Sequence, residues 1–386
     1  METDFLQQSF NVRFDYKVYF TTHLFNSDNP VLQEFLSVQK KSDIPPKIFF
    51  VLDERVVAHH PDLISRIKSY FQAFPSLHLM DDMLIIPGGE VAKNDEHLLH
   101  QIIVAVNNNK IDRHSYLVAV GGGSVLDLAG YAAAISHRGI RHIRIPTTVL
   151  SQNDSGVGVK NGVNYFNKKN FLGTFAPPVA VFNDFHFLTT LEDVDWRSGI
   201  SEAIKVALIK DASFFHWLTD NAALLANRDM PAMKYLIRHC ADLHMQHIRS
   251  GDPFEMGSSR PLDFGHWSAH KLEQLTNFNI RHGEAVAIGI ALDSVYSYLS
   301  NRLSKEALDQ ILNLIKTLGL DITHPLLEVN GDKSPLIEGL EEFREHLGGK
   351  LTITLLNGIG KGEEVHEMDG ALIQQASQWL KNINHN

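Results

Sequence analysis

The first half of the chain alternates short apolar runs with amphipathic stretches. KIFFVLD (Lys47–Asp53) is a continuous run rich in branched and aromatic residues, the pattern of a strand buried on both faces. MLIIPGGE (Met83–Glu90) is a second such run, stopped by Pro-Gly-Gly. From Asn94 to about Asn109, the residues Leu98, Leu99, Ile102, Ile103 and Val106 fall at helical spacing. SYLVAVGGGS (Ser115–Ser124) reads as strand, then glycines, then a helix through VLDLAGYAAAIS. HIRIPTTVL and VAVFND add further strands. This β-α-β rhythm predicts an α/β domain with a Rossmann-like parallel sheet covered on both faces.

The texture changes near residue 190. SGISEAIKVALIKDASFFHWL, MPAMKYLIRHCADLHMQHI, GHWSAHKLEQL, GEAVAIGIALDSVYSYL and SKEALDQILNLIKTLG all repeat apolar positions with a helical period. The expected organisation is α/β plus all-α: a dinucleotide-type domain over residues 1–190, then a mostly helical domain over 191–386. Neither internal repeats nor low-complexity segments interrupt it.

Composition narrows the class. The 386 residues suffice for two cores, with 44% hydrophobic and 21% charged residues. The formal net charge of −10 disfavours general nucleic-acid binding. The apolar runs are too short to cross a membrane, and the acidic, polar N-terminus lacks the order of a signal peptide. A single cysteine, Cys240, excludes an intrachain disulfide framework and fits a reducing cytoplasm.

Three stretches carry candidate chemistry. Gly121, Gly122 and Gly123 stand between a strand and a helix, where backbone can approach a pyrophosphate and the helix N-terminus offers free N–H groups. The spacing is not G-x-G-x-x-G, so the turn could also serve geometry alone. Asp53 closes one strand, and Glu90 and Lys93 follow another; acidic groups there can hold ribose hydroxyls. The long stretch RIPTTVLSQNDSGVGVKNGVNYFNKKNFLGTFAPP is polar and glycine-rich, and carries Asp154, Lys160, Lys169 and Asn170. It reads as a functional loop with lysines suited to an anion. In RPLDFGHWSAHKLE, His266 and His270 lie one turn apart on one helix face. With His282 and Glu202 they make four candidates for a catalytic metal site, and spacing does not choose among them.

GGGSVLDLAG, RGIRHIRIPTTVL, DSGVGVKNGVN, KKNFLGTF, SGISEAIKVALI and RPLDFGHWSAHKLE followed by RHGEAVAIG, taken in order, resemble the dehydroquinate synthase superfamily of sugar phosphate cyclases. Within it, PLDFGHWSAHKLE is most similar to 2-epi-5-epi-valiolone synthases, because dehydroquinate synthases carry asparagine where Asp263 stands. The chain departs from both groups at Asn153, usually apolar, and at Asn161, usually threonine.

The resemblance implies a divalent metal, zinc or cobalt, on Glu202, His266 and His282, with His270 turned to substrate. It implies NAD held by Asp53, Glu90, Lys93, Gly122, Gly123, Asp127, Thr147, Thr148 and Lys169. It implies a substrate pocket of Arg138, Asp154, Lys160, Lys169, Asn170, Lys205, Arg260, Asp263 and His270. Of these, Lys160, Lys205, Arg260, Asp263 and His270 would be catalytic. Arg138 matches an arginine that reaches a neighbouring subunit's site, so a homodimer is implied. Two lysines of dehydroquinate synthases lack equivalents, one in HMQHIRSGD and one in EEFREHLGG. Fewer cations suit a substrate without a carboxylate, such as the seven-carbon ketose phosphate sedoheptulose 7-phosphate. Its conversion to a valiolone-type cyclitol would proceed by transient oxidation with NAD, loss of phosphate, reduction and intramolecular aldol closure. Three alternatives stand beside it: 3-dehydroquinate synthase, a metal- and NAD-dependent polyol dehydrogenase, and a non-catalytic binding member.

Overall fold

A computed structural model describes residues 4–38, 45–74, 77–166, 168–250, 253–254, 262–328, 334–346 and 351–384. Its strands are β1 (Lys17–Thr21), β2 (Lys47–Asp53), β3 (His78–Leu79), β4 (Leu84–Ile86), β5 (Tyr116–Gly121), β6 (Arg141–Pro146), β7 (Lys160–Tyr165), β8 (Lys168–Phe175), β9 (Ala180–Asp184), β10 (Ile353–Leu356) and β11 (Gly362–Val365). Helices α1 (Val31–Val38), α2 (Glu54–His59), α3 (Leu63–Gln72), α4 (Glu96–Asn108) and α5 (Gly123–Ile135) belong to the first half. Helices α6 (Asp193–Lys210), α7 (Ala212–Asp220), α8 (Ala222–Ala226), α9 (Met230–Arg249), α10 (His266–Leu275), α11 (His282–Leu299), α12 (Lys305–Thr317), α13 (Pro335–His346) and α14 (Gly370–Asn384) follow.

A seven-stranded sheet runs β1-β9-β6-β5-β2-β3, with β4 also paired to β2. Every described pairing in it is parallel. The central strands β2 and β5 are buried nearly end to end, as their unbroken apolar runs predict. Because the strands are parallel, their C-terminal ends share one edge. Asp53, the glycines after β5 and the threonines after β6 therefore meet there.

Helices α6 and α11 are buried on nearly every side, which explains their weak amphipathicity. Each carries polar groups inside an apolar core: Glu202 and Lys205 on α6, Asp293 on α11. Such groups are the informative ones, since burial is costly without partners. Among the described residues, no helix is long and apolar enough to cross a membrane.

Three local readings differ from the sequence pattern. The run at Met83–Glu90 forms a strand only over Leu84–Ile86. HIRIPTTVL leaves the sheet at Pro146: Thr147 N–H still reaches Gly121 O at 3.0 Å, and a π-helical turn follows over Ser151–Ser155. The polar stretch after it is an antiparallel hairpin, β7–β8, rather than a loop. Its alternation is masked because β7 is buried against α5 while β8 leaves Phe171 and Phe175 exposed among polar residues and glycine. The short hairpin β10–β11 in the helical half left no periodic signal long enough to read.

Candidate functional site

Glu202, His266 and His282 come from three different helices. Two close backbone approaches bring those helices together. Gly265 precedes α10 at φ +77°, and a Cβ there would lie 2.7 Å from Ile290 N of α11. Gly283 lies against α6, where a Cβ would fall 1.8 Å from Ser198 O. His266 Nε2 lies 3.6 Å and His282 Nε2 3.5 Å from Glu202 Oε1. Glu202 is fully buried, and neither of its oxygens accepts a well-directed hydrogen bond. Lys205 pairs with it by charge and lies 3.7 Å from Asp154 Oδ2. A buried, poorly satisfied carboxylate facing two imidazoles fits a divalent cation with a position left open for a ligand.

The outer partners also favour that arrangement. His266 Nδ1 faces Phe264 O at 3.2 Å, and His282 Nδ1 faces Glu273 Oε2 at 3.2 Å. Each imidazole thereby keeps Nε2 turned toward Glu202, the second-sphere pattern of metal-ligating histidines. His270, Glu273 and His282 form another group of compatible spacing. There, however, Glu273 is engaged by Lys169, whose ammonium donates at 2.8 and 3.0 Å.

The charges are strongly coupled. Burial alone would raise the Glu202 carboxyl, but Lys205, His282 and His266 outweigh it and hold the group well below its ordinary range. Burial also acts most strongly on His282 and would lower it; Glu273 and Glu202 reverse this and raise it to about 9. Asp154 is pushed up to about 7 by burial and by Glu202.

The glycine turn opens on the same cleft, whose volume is about 2090 Å³. Gly122 caps α5 without a side-chain bond, so the first N–H groups of α5 face the cleft uncapped. Asp53 is buried at the end of β2 and accepts from Arg55 N at 2.9 Å. Lys93 Nζ reaches Asp127 Oδ2 at 2.9 Å and is in short contact with Asn170 Oδ1. Glu90 accepts from Ser124 Oγ and Asn164 Nδ2, each at 3.1 Å. Uncapped amides beside a buried carboxylate and a paired lysine fit a dinucleotide.

The hairpin is clamped over the cleft by Arg144. Its guanidinium donates to Gly156 O at 3.1 Å, Gly158 O at 2.9 Å, Lys160 O at 2.8 Å and Asn161 Oδ1 at 2.6 Å. Asn161 completes the clamp by donating to Ala176 O at 3.0 Å. Asn153 ties the turn before the hairpin to α6 through Gly199 O at 2.7 Å. Both unusual asparagines thus hold backbone and need not touch a ligand.

Asp53, Glu90, Lys93, Gly122, Gly123, Asp127, Thr147, Thr148, Asp154, Lys160, Lys169, Asn170, Lys205, Asp263, His266, His270 and His282 all line this cleft. Glu202 stands directly behind them. Arg138 is exposed, with φ +62°, and lies outside the cleft wall. Arg260 lies outside the described residues. Sequence reading missed Glu273, whose signal was its place three residues after His270 on the same helix face. It also missed Arg144, Asp293 and His244, whose contacts join distant segments of the chain.

Asp293 braces the α10 terminus by accepting from Trp267 Nε1 at 2.9 Å and from Gly265 N at 3.0 Å. Burial raises its carboxyl to about 7, against these two hydrogen bonds. A group raised on folding contributes stability below its unfolded pKa of about 3.9 and loses it as pH climbs through the folded value. Wild-type stability is therefore expected to fall relative to Asp293→Asn between pH 4 and about 7. Urea midpoints measured across that range check the sign; parallel curves contradict it.

Known proteins share this architecture. Residues 83–198 match the family model for the 3-dehydroquinate synthase N-terminal region, and residues 199–338 the model for its C-terminal region. The 3-dehydroquinate synthase of Nitrosospira multiformis is 36% identical over 307 residues, covering 79% of this chain and 82% of that protein. The 3-dehydroquinate synthase of Cereibacter sphaeroides is 32% identical over 334 residues, 85% of this chain and 87% of that one. The structure of the 2-epi-5-epi-valiolone synthase from Streptomyces hygroscopicus subsp. jinggangensis 5008, with NAD+ and Zn2+ bound, superposes with a TM-score of 0.88 at 27% identity. That match covers 98% of this chain and all of that one, 100%.

Proposed function

This chain belongs to the 3-dehydroquinate synthase family of sugar phosphate cyclases, and from that premise we propose that it closes sedoheptulose 7-phosphate, or a close seven-carbon ketose phosphate, to a valiolone-type cyclitol with loss of phosphate. The observation that carries this reading is the meeting, in one cleft, of the three-residue cation pocket, the glycine turn and the lysine-bearing hairpin. Glu202, His266 and His282 would hold a divalent metal, zinc or cobalt. Asp53, Glu90, Lys93, Gly122, Gly123, Asp127, Thr147, Thr148 and Lys169 would hold NAD. When bound, NAD supplies reversible hydride transfer and the metal supplies Lewis acidity toward neighbouring substrate oxygens.

The chain's own groups supply orientation and charge. Lys160, Lys169, Asn170 and Arg260 would hold the phosphate, and His270 and Asp263 the hydroxyls. Lys205, fixed between Glu202 and Asp154, is buried and held strongly cationic, because these carboxylates outweigh the opposing effect of burial. It therefore suits stabilising developing negative charge rather than taking up a proton. Asp154 lines the cleft beside Lys205 and would orient a substrate hydroxyl there. The clamped hairpin and buried helices keep these groups aligned. Arg138, exposed at the end of α5, is proposed to reach a partner's cleft in a homodimer. The single cysteine, Cys240, is buried and free, which supports a reducing compartment such as the cytoplasm.

The curated relatives at 36% and 32% identity favour a second reading, 3-dehydroquinate synthase itself. Asp263 and the missing lysines support the uncarboxylated substrate instead. Phosphate release with catalytic NAD and added zinc or cobalt separates them. Release from sedoheptulose 7-phosphate and not from the carboxylated heptulosonate phosphate supports the proposal; the reverse outcome establishes the second reading.

Glu273 is proposed to position His282 for the metal through the Nδ1 contact. Glu273→Gln is expected to weaken Co2+ binding about ten- to a hundredfold, read from the cobalt visible absorption. Unchanged affinity in the folded variant contradicts that role.

A further inference from the structure

Outside the cleft, the C-terminal ends of α6 and α9 and the turn joining β10 to β11 enclose a recess of about 350 Å³, at the lower end of the range for small-molecule sites. Lys210, His247 and Lys361 are among the side chains that line it. The turn is locked in place. Gly360 N donates to Leu208 O at 2.7 Å, and a Cβ on Gly360, at φ +80°, would lie 2.5 Å from Ala212 N. Lys361 is fixed within the same turn: its N–H reaches Gly358 O at 3.3 Å, and its carbonyl accepts from Asn357 N at 2.9 Å.

The recess is cationic, and its charge is not compensated. Lys210 Nζ donates to His247 Nδ1 at 3.2 Å, which leaves the imidazole proton on Nε2. Burial lowers the Lys210 ammonium, with no carboxylate opposing it. The carboxylates that flank these elements are engaged elsewhere. Asp211 caps α7 by accepting from Phe214 N at 3.0 Å, and meets His239 Nε2 at 3.0 Å. Asp242 accepts from Gln246 Nε2 at 2.8 Å and pairs with Arg249 at 3.4 Å. Glu363 pairs with Arg302 at 2.9 Å. A lysine in the last turn of a helix suits that end on its own account. That does not explain Lys361, which lies on no helix, and Leu208 O at the end of α6 is already capped by Gly360.

We propose that this recess binds a phosphate group, carried by inorganic phosphate or by a sugar phosphate, through the ammoniums of Lys210 and Lys361. A tetrahedral dianion accepts from several ammonium donors at once, whereas a neutral sugar would leave both charges unmatched. His247 lines both the recess and the cleft, so the two adjoin, while neither Lys210 nor Lys361 lines the cleft. The inference goes beyond the cyclase reading and holds for either substrate class.

Equilibrium dialysis of the full-length protein, saturated with NAD, against radiolabelled inorganic phosphate counts the sites that fill below about 1 mM, with ionic strength held constant by chloride. The wild type is expected to bind one equivalent more than the Lys210→Gln/Lys361→Gln double variant. Each single variant is expected to weaken that equivalent about tenfold or more, and Lys361→Arg to retain it. Competition with sedoheptulose 7-phosphate distinguishes the sources: displacement of the extra equivalent assigns the site to a phosphate ester, and its retention assigns it to free phosphate. Turnover and thermal midpoints of the variants should match the wild type, which keeps this test apart from that of the cyclase reading. Equal stoichiometry in the wild type and the folded double variant, including none in either, overturns the inference.

Discussion

Glu202→Gln is expected to strip the divalent metal from the protein and to lower turnover more than about a hundredfold, beyond the usual cost of losing an outer-sphere partner. NAD should still bind, because the glycine turn and Asp53 belong to the sheet edge and not to α6. Glutamine is the informative replacement. Like alanine it removes the negative charge and leaves Asp154, at 3.7 Å, as the carboxylate beside Lys205, but it keeps the side chain's volume and an amide oxygen that can accept from the ammonium. Metal content by elemental analysis, NAD affinity by fluorescence and turnover together separate lost ligation from lost folding. A folded variant that retains a full equivalent of metal refutes the assignment of Glu202.

Gly283→Ala carries the largest expected loss of stability. The added Cβ would stand 1.8 Å from Ser198 O and 2.5 Å from Ser198 C, both backbone atoms of α6. Backbone cannot rotate aside as a flexible side chain does, so α6 and α11 must part. The substitution also disturbs the bond from Gly283 N to Ser198 Oγ at 3.1 Å. About 3 kcal/mol or more of destabilisation is expected, at the upper end for one methyl group in a packed interior. Metal affinity should fall as well, since His282 adjoins Gly283 and Glu202 lies one turn beyond Ser198. Urea midpoints and a Co2+ titration read the two effects; a wild-type midpoint contradicts the packing described here.

Much of this cleft is legible in the sequence, because its chemistry is concentrated in local motifs. The apolar runs of β2 and β5 marked a parallel sheet, and Gly121–Gly123 marked where it opens. The spacing of His266 and His270 marked one helix face, although spacing left four candidate ligands. What remained hidden depends on contacts between distant segments. His244 lies in a histidine-rich helix, and its contact with Asp154 emerges only in the structure. Arg144 sits inside a strand, where an arginine carries no local meaning until its clamp on the hairpin is visible. The hairpin itself was obscured because the one buried branched residue of β7, Val163, is flanked by Asn161, Gly162 and Asn164. Asn153 and Asn161 depart from the pattern of both groups; Asn153 donates to Gly199 O, and Asn161 donates to Ala176 O and accepts from Arg144.

The central claim is a redox-neutral ring closure of an uncarboxylated ketose phosphate. The most direct measurement follows 13C-labelled sedoheptulose 7-phosphate by NMR, with metal-loaded protein and substoichiometric NAD. The account predicts a carbocyclic seven-carbon product, one phosphate released per product, and no net NADH. An open-chain product formed with stoichiometric NADH would contradict it, and would place the chain among simple dehydrogenases despite its cyclase-like cleft.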